Sequence, residues 1–391
     1  MPDLFSPFTL KDVTLRNRIG MSPMTMYRST DGKMDDFHVM YLGARASGGF
    51  GLVFPEQVAI SPAGRTTPHC AGIYEDAQIE GHARVTSMIK SMGGVAGIQL
   101  GHTGRNGSEL KPWIGGDLGQ QLSPDHPEGW QVVGPSDVPY GFGKRPYPVH
   151  ALTVEEIKAI HREYAEAATR ALHAGYEWLE MHFAHGYLAA SFYSPLANHR
   201  TDEYGGSKEN RARFLIEAMD AVREVWPEHL PLTFRLGADD YHPDGVQWED
   251  SIEVVGWLKE HGADLADLSM GGNTDDMRDP FFGNVGAWVE RGAQVKREIG
   301  IPVTVSWNLG VPQNADQAIR DEKIDLVLLG RPALANPHWP VWAARELGHK
   351  DPFSLVPEDW GWWLQNFRGH SASIGWPEVD ESDQGFELRS A

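Results

Sequence analysis

The sequence predicts a closed (β/α)8 TIM barrel, and three observations point that way. Short apolar runs alternate with helical patterns along the chain, which implies a parallel sheet with right-handed crossovers. Eight such runs fall within 391 residues, a length at which barrels occur as one unit. No GxGxxG follows the first run, which weakens the alternative of an open dinucleotide-binding sheet.

The expected strands cover residues 19–24, 51–54, 95–100, 178–181, 230–236, 264–269, 302–307 and 325–329. A helix over 75–92 is closed by Gly93 and Gly94, since glycine relieves the strain after a last turn. Thr153 and Glu156 form a capping box that serves the free N–H groups of a first turn. Ile157, Ile160, Tyr164, Ala168 and Ala171 then keep helical spacing until Gly175 stops the helix. Further helices are expected over 208–225, 248–261, 289–299 and 313–321. Residues 1–369 are read as one barrel domain, 101–150 as a long loop or lid after strand three, and 370–391 as an acidic C-terminal tail. A structureless loop that long in a compact domain is usually functional.

Composition excludes several function classes. The net charge is −20 with no compensating Lys/Arg stripe, which repels phosphate backbones and argues against nucleic acid. No run approaches the roughly 20 apolar residues of a membrane span. The N-terminus carries early acidic residues and no apolar core, unlike a secretory signal. Cys70 is the one cysteine, so no internal disulfide forms, which suits a reducing cytoplasm. The same count excludes a cluster held by four thiolates and any Cys-rich zinc site.

Barrel active sites lie at the C-terminal strand ends. The predicted ends carry Ser22-Pro23-Met24-Thr25, Glu56-Gln57, Gln99 to His102, His182 with His185, Arg235, Ser269 to Gly272, Ser306-Trp307-Asn308 and Gly330-Arg331. No paired carboxylates stand there, so glycoside hydrolysis fits poorly. "GRPALANP" after strand eight offers a glycine for close backbone approach and Arg331 for charge, which suits a phosphorylated ligand. His182 and His185 supply two metal ligands, too few for a site, and no third lies nearby. Either histidine alone reads as a satisfied core group; the pair with Tyr187 at a catalytic rim points to function. Arg235, inside the apolar "LPLTFRLGA", is expected to meet a buried acceptor.

Several segments together resemble the Old Yellow Enzyme family of FMN-dependent NAD(P)H ene-reductases. They are "LRNRIGMSPMTMY", "IQLGHTGR", "LTVEEI", "HFAHGYLAASFYSPLANHRTDEYGGSKENRARF", "FRLGADDYHPDG" and "LLGRPALANP", spanning roughly residues 4–345. The resemblance implies a barrel with non-covalent FMN at its mouth and NAD(P)H as electron donor. By similarity, Pro23, Met24 and Thr25 contact the flavin ring, Gln99 its pyrimidine edge, and Arg235 the edge that gathers negative charge on reduction. Gly330 and Arg331, with groups near Ser306 and Gly271, hold the phosphate. His182 and His185 donate hydrogen bonds to a substrate oxygen, Tyr187 protonates the α-carbon, and Tyr27 is a substrate-side contact.

The chain departs from the family pattern at two places. Gln57 stands near the flavin edge where a smaller residue is usual, and Ser306-Trp307 replaces a Gly-rich strand end. The implied substrates are small activated alkenes, with no nucleic acid or membrane as partner. A homo-oligomer is expected, with Arg345 or Arg368 the candidate to reach a neighbour's active site. Two other readings stand beside this one: a flavin dehydrogenase or demethylase oxidising a small amine or alcohol, and a flavin-binding sensor without turnover.

Overall fold

The computed structural model describes residues 1–114, 120–141, 145–278 and 286–366. The expected acidic tail at 370–391 and Arg368 lie outside the described residues.

Eight parallel strands close on themselves, as the sequence predicts. In chain order they are β1 (Ile19–Met21), β2 (Leu52–Val53), β3 (Val95–Gly101), β4 (Trp178–Phe183), β5 (Leu232–Gly237), β6 (Leu265–Ser269), β7 (Val303–Val305) and β8 (Leu326–Leu329). Each pairs with the next, and β8 pairs with β1 to shut the barrel. The outer helices are α1 (Asp36–Ser47), α2 (Ile79–Ser91), α3 (Val154–His173), α4 (Lys208–Arg223), α5 (Trp248–Glu260), α6 (Ala287–Ile299), α7 (Pro312–Arg320) and α8 (Trp339–Glu346).

The capping box that starts α3 is formed as expected. Glu156 N–H donates to Thr153 Oγ1 at 3.2 Å, and Thr153 N–H donates to the Glu156 carboxylate at 2.8 Å. Strand one is shorter than expected. Pro23 has no N–H for a ladder, so the strand ends at Met21 and Ser22 N–H makes the last bond, to Leu329 O at 3.1 Å.

Side chains alternate between the two faces of each strand. Ile98, Leu100, Leu179, Met181, Phe234, Leu236, Val303, Val305 and Val327 are fully buried. They point outward and pack under the helices, each contributing about 1.5–3 kcal/mol. The other face fills the barrel. Its floor is largely apolar, with Leu52, Trp178, Leu265 and Leu326, and Trp178 Nε1 donates to Thr233 Oγ1 at 3.1 Å. Above that floor the interior turns polar. Parallel register sets Gln99 opposite Glu180, and sets Arg235 opposite both His182 and Asp267. Register thus carries the chemistry to one end.

No described helix is long and apolar enough to cross a membrane.

Candidate active site

A cavity of about 870 Å³ opens at the C-terminal rim. Its volume falls in the usual range for small-molecule and cofactor sites. Pro23, Met24 and Thr25 from the end of β1 line it, with Ser306 and Trp307 after β7 and Gly330 and Arg331 after β8. Arg235 and His185 also reach it. The structure therefore gathers most of the predicted cofactor residues around one space. Gly271 stands outside that lining. Its N–H donates to Asp239 O at 2.7 Å and its carbonyl accepts from Gly186 N–H, so both backbone groups are already engaged.

Arg235 is held from both ends. Nη1 donates to Ser22 Oγ at 3.0 Å and Nη2 donates to Ser306 Oγ at 3.2 Å, both at the rim. Nε lies 3.2 Å from Asp267 Oδ2, but the approach is off the N–H line, so it is an ion contact rather than an aligned hydrogen bond. Next to this cation, Gln99 Nε2 donates to Glu180 Oε1 at 2.7 Å. Gln57 sits beside Gln99 in register, and its buried Nε2 has no hydrogen-bond partner. Gly101 packs closely there: a Cβ would lie 2.9 Å from Gln57 Nε2 and 3.1 Å from His182 Cβ, so Gln57 would have to shift.

The two histidines share a hydrogen bond, His185 Nδ1 to His182 Nε2, at 3.3 Å. His185 Nε2 meets Ser269 Oγ at 2.8 Å, and Trp307 Nε1 donates to the same oxygen at 3.3 Å. His182 Nδ1 is buried without a partner. Burial, and then the Arg235 charge, pushes His182 down to about 3 and His185 well below its usual value. Both rings are neutral at physiological pH, so each carries one N–H, and the bond between the rings engages one of the two. His185 takes a positive φ of 60°, and Gly186 follows at 69°. A Cβ at Gly186 would lie 2.2 Å from Gly272 O, so the tight turn needs glycine.

Tyr187 follows that turn and caps the short helix Leu188–Tyr193. Its ring centroid lies 5.0 Å from that of His182. Burial pushes the phenol up to about 12, so it keeps its proton throughout neutral pH. Tyr27 also has a positive φ, 54°, and its ring meets Trp113 edge-on at 5.7 Å. Burial raises its phenol as well.

Sequence reasoning missed what the excursion after β3 does. Asn106 Nδ2 donates to Gly186 O at 3.0 Å, and Leu188 N–H donates to His102 O at 2.9 Å. The loop thus clamps the turn that presents Tyr187. Arg145 pairs with Glu109 and donates to Asn106 Oδ1 at 2.8 Å, locking the clamp from behind. Ser269 was also missed as the link between Trp307 and the histidines. Only its place at a strand end signalled it. Arg345 lies on α8 and is not among the residues that line the cavity.

The family model for "NADH:flavin oxidoreductase / NADH oxidase family" matches residues 3–350. The chain belongs to this family. It is 40% identical over 346 residues to an NADPH dehydrogenase of Bacillus pumilus (strain SAFR-032), covering 88% of this chain and 95% of that one. Morphinone reductase, solved in complex with tetrahydroNAD, superposes with a TM-score of 0.72 at 29% identity, covering 89% of this chain and 91% of that chain. The Old Yellow Enzyme homologue from Zymomonas mobilis superposes with a TM-score of 0.73 at 26% identity, covering 92% and 99%. The chain is an NAD(P)H-dependent flavin oxidoreductase whose cofactor is FMN. The site fits that cofactor. The cavity has the right size class, and the buried Arg235 guanidinium lines it, with Nη1 and Nη2 held at the rim by Ser22 and Ser306.

One prediction follows from the buried histidines. His82, His102 and His161 are pushed down by burial to about 4, and His182 to about 3. Unfolded, each titrates near the ordinary ~6.5. As pH falls through ~6.5, the unfolded chain binds protons that the folded chain refuses. Stability is therefore full above that pH and declines below it, by at most about 1.4 kcal/mol per unit for each histidine. The urea midpoint at pH 5 is expected well below that at pH 7.5. Equal midpoints would mean that proton uptake by these rings on unfolding does not exceed proton release from the buried Glu109 and Glu180 carboxyls, which burial raises.

Proposed function

We propose that this site reduces carbon–carbon double bonds conjugated to a carbonyl or nitro group, with NAD(P)H as donor. The observation that carries the reading is one rim that joins a buried guanidinium, a neutral imidazole pair and a protonated phenol. Bound FMN would supply the hydride chemistry that links the nicotinamide to the β-carbon of the alkene.

The chain's own residues do the rest. Pro23, Met24 and Thr25 line the ring's berth, with Gln57 and Gln99 beside it and Ser306, Trp307, Gly330 and Arg331 toward the phosphate end. Arg235 is a fixed cation in a water-poor site, so it offsets negative charge without reorganising. His182 and His185 give N–H groups to the oxygen on which charge builds as the double bond is reduced, His182 Nε2–H leaving His185 Nδ1 to do so. For His185 Nε2 to do so it exchanges Ser269 for the substrate, while Trp307 keeps the serine oxygen satisfied. Tyr187 then transfers its Oη proton to the α-carbon. Tyr27 walls the substrate side with Trp113.

The test is an anaerobic titration of the yellow holoenzyme. NADPH or NADH is expected to bleach the flavin band, and cyclohexenone or maleimide to restore it. Bleaching by a small amine or alcohol, with no response to either alkene, would overturn the reading in favour of a dehydrogenase.

A further inference from the structure

Beneath the rim lie three ionisable groups that the mechanism above uses only in part. Arg235 is drawn upon; Glu180 and Asp267 are not. Both carboxyls are essentially sealed from solvent, 1% and 0% exposed. Asp267 makes no hydrogen bond through either oxygen. Its register neighbour on β5 is Arg235 and on β7 is Thr304, and the Thr304 hydroxyl is already committed to Leu326 O at 2.9 Å. Arg235 is therefore the compensation for any charge on Asp267. A carboxylate buried with no partner would cost several kcal/mol.

Glu180 is placed differently. It receives one hydrogen bond, from Gln99 Nε2, and has Thr233 beside it in register. Thr233 Oγ1 donates instead to Leu179 O at 3.1 Å. Burial raises both carboxyls, Asp267 acts on Glu180 as a further repulsion, and Arg235 lowers each of them. One cation near two acids compensates one negative charge. The acid in ion contact with it at 3.2 Å is Asp267.

We propose that Asp267 is a positioning residue that sets the effective charge of Arg235, with Asp267 ionised and Glu180 carrying a proton. The rim then faces an Arg235–Asp267 dipole with its positive end upward, not an isolated cation. Asp267 anchors Nε, which leaves Nη1 and Nη2 aimed at Ser22 and Ser306. The reduction potential of the bound flavin is thereby lower than a lone arginine would make it. This inference rests on the FMN reading above and deepens it.

The experiment measures the flavin midpoint potential of holoenzyme variants against a reference dye. Asp267→Asn removes the negative charge while keeping the shape. It is expected to raise the potential by at least tenfold in the two-electron equilibrium, about 30 mV. Asp267→Glu restores the charge and is expected to return most of that shift. Glu180→Gln replaces a neutral group by another and is expected to leave the potential in place. An unshifted Asp267→Asn, or a shift of that size in Glu180→Gln, would overturn the proposal. Should Asp267→Asn not fold, infrared spectra of wild type and Glu180→Gln decide it. A protonated-carboxyl band present in the first and missing from the second supports the assignment, and its absence from wild type contradicts it. Wild-type protein that holds no FMN would contradict the flavin reading itself, a failure distinct from an unshifted variant.

Discussion

Replacing Tyr187 by phenylalanine is expected to slow alkene reduction by about 10²–10⁴-fold, the usual contribution of a positioned general acid. Flavin reduction by NADPH should keep its wild-type rate, because that step needs no proton from the phenol. The substitution removes a single oxygen. The ring stays edge-on to His182 at a centroid distance of 5.0 Å, and the clamp from Asn106 holds the backbone rather than the hydroxyl. Structural loss is therefore a poor explanation for a slow variant. The phenol sits at about 12, which makes it a weak acid toward water but a competent one toward a carbanion-like α-carbon. Stopped-flow measurement of the two half-reactions separates the outcomes. An unchanged rate of alkene reduction would remove Tyr187 from the acid role.

Replacing His182 by alanine is expected to cost about 10²–10³-fold in alkene reduction, the scale of one oxyanion donor. His182→Asn keeps an N–H and should recover part of that loss. Because both rings are neutral, they act as donors without changing charge, so the loss should not depend on pH between about 6 and 8. A loss in His182→Ala that grew toward low pH and vanished at high pH would instead indicate a protonated imidazole in wild type. His182 is the better probe of the pair. His185 sits in a strained turn at φ 60° and bonds Ser269, so its removal would disturb the backbone as well.

Much of this was legible in the sequence, for identifiable reasons. The barrel was readable because apolar strands alternate with capped, glycine-stopped helices, and those signals are local. Thr153 with Glu156 is the clearest case, since the box is complete within four consecutive residues. The rim residues were readable because a barrel sends strand ends to one face, so His182, Arg235 and Ser306 had to converge. Other features depend on long-range contact and left no local mark. The Asn106 to Gly186 bond spans 80 positions, and Arg235 to Ser22 spans 213. Helix α1 escaped notice because its apolar face is broken by His38, Gly43 and Arg45, all buried. Gly271 was expected near a phosphate by family resemblance. The structure uses it for packing: a Cβ there would lie 2.0 Å from Asp240 Oδ1.

The departures at Gln57 and Trp307 also take on meaning once the contacts are known. Gln57 occupies space that a Cβ at Gly101 would contest. Trp307 reaches Ser269 and so joins the hydrogen-bond line that ends at His182. Neither role could be inferred from residue type, because each depends on a partner across the barrel.

The claim beneath all of this is that the cavity lined by Arg235 holds one FMN. Fluorescence titration of flavin-stripped protein with FMN examines it most directly. Quenching that saturates at one FMN per chain is the predicted result. Full FMN fluorescence in the presence of excess protein would contradict the account at its base.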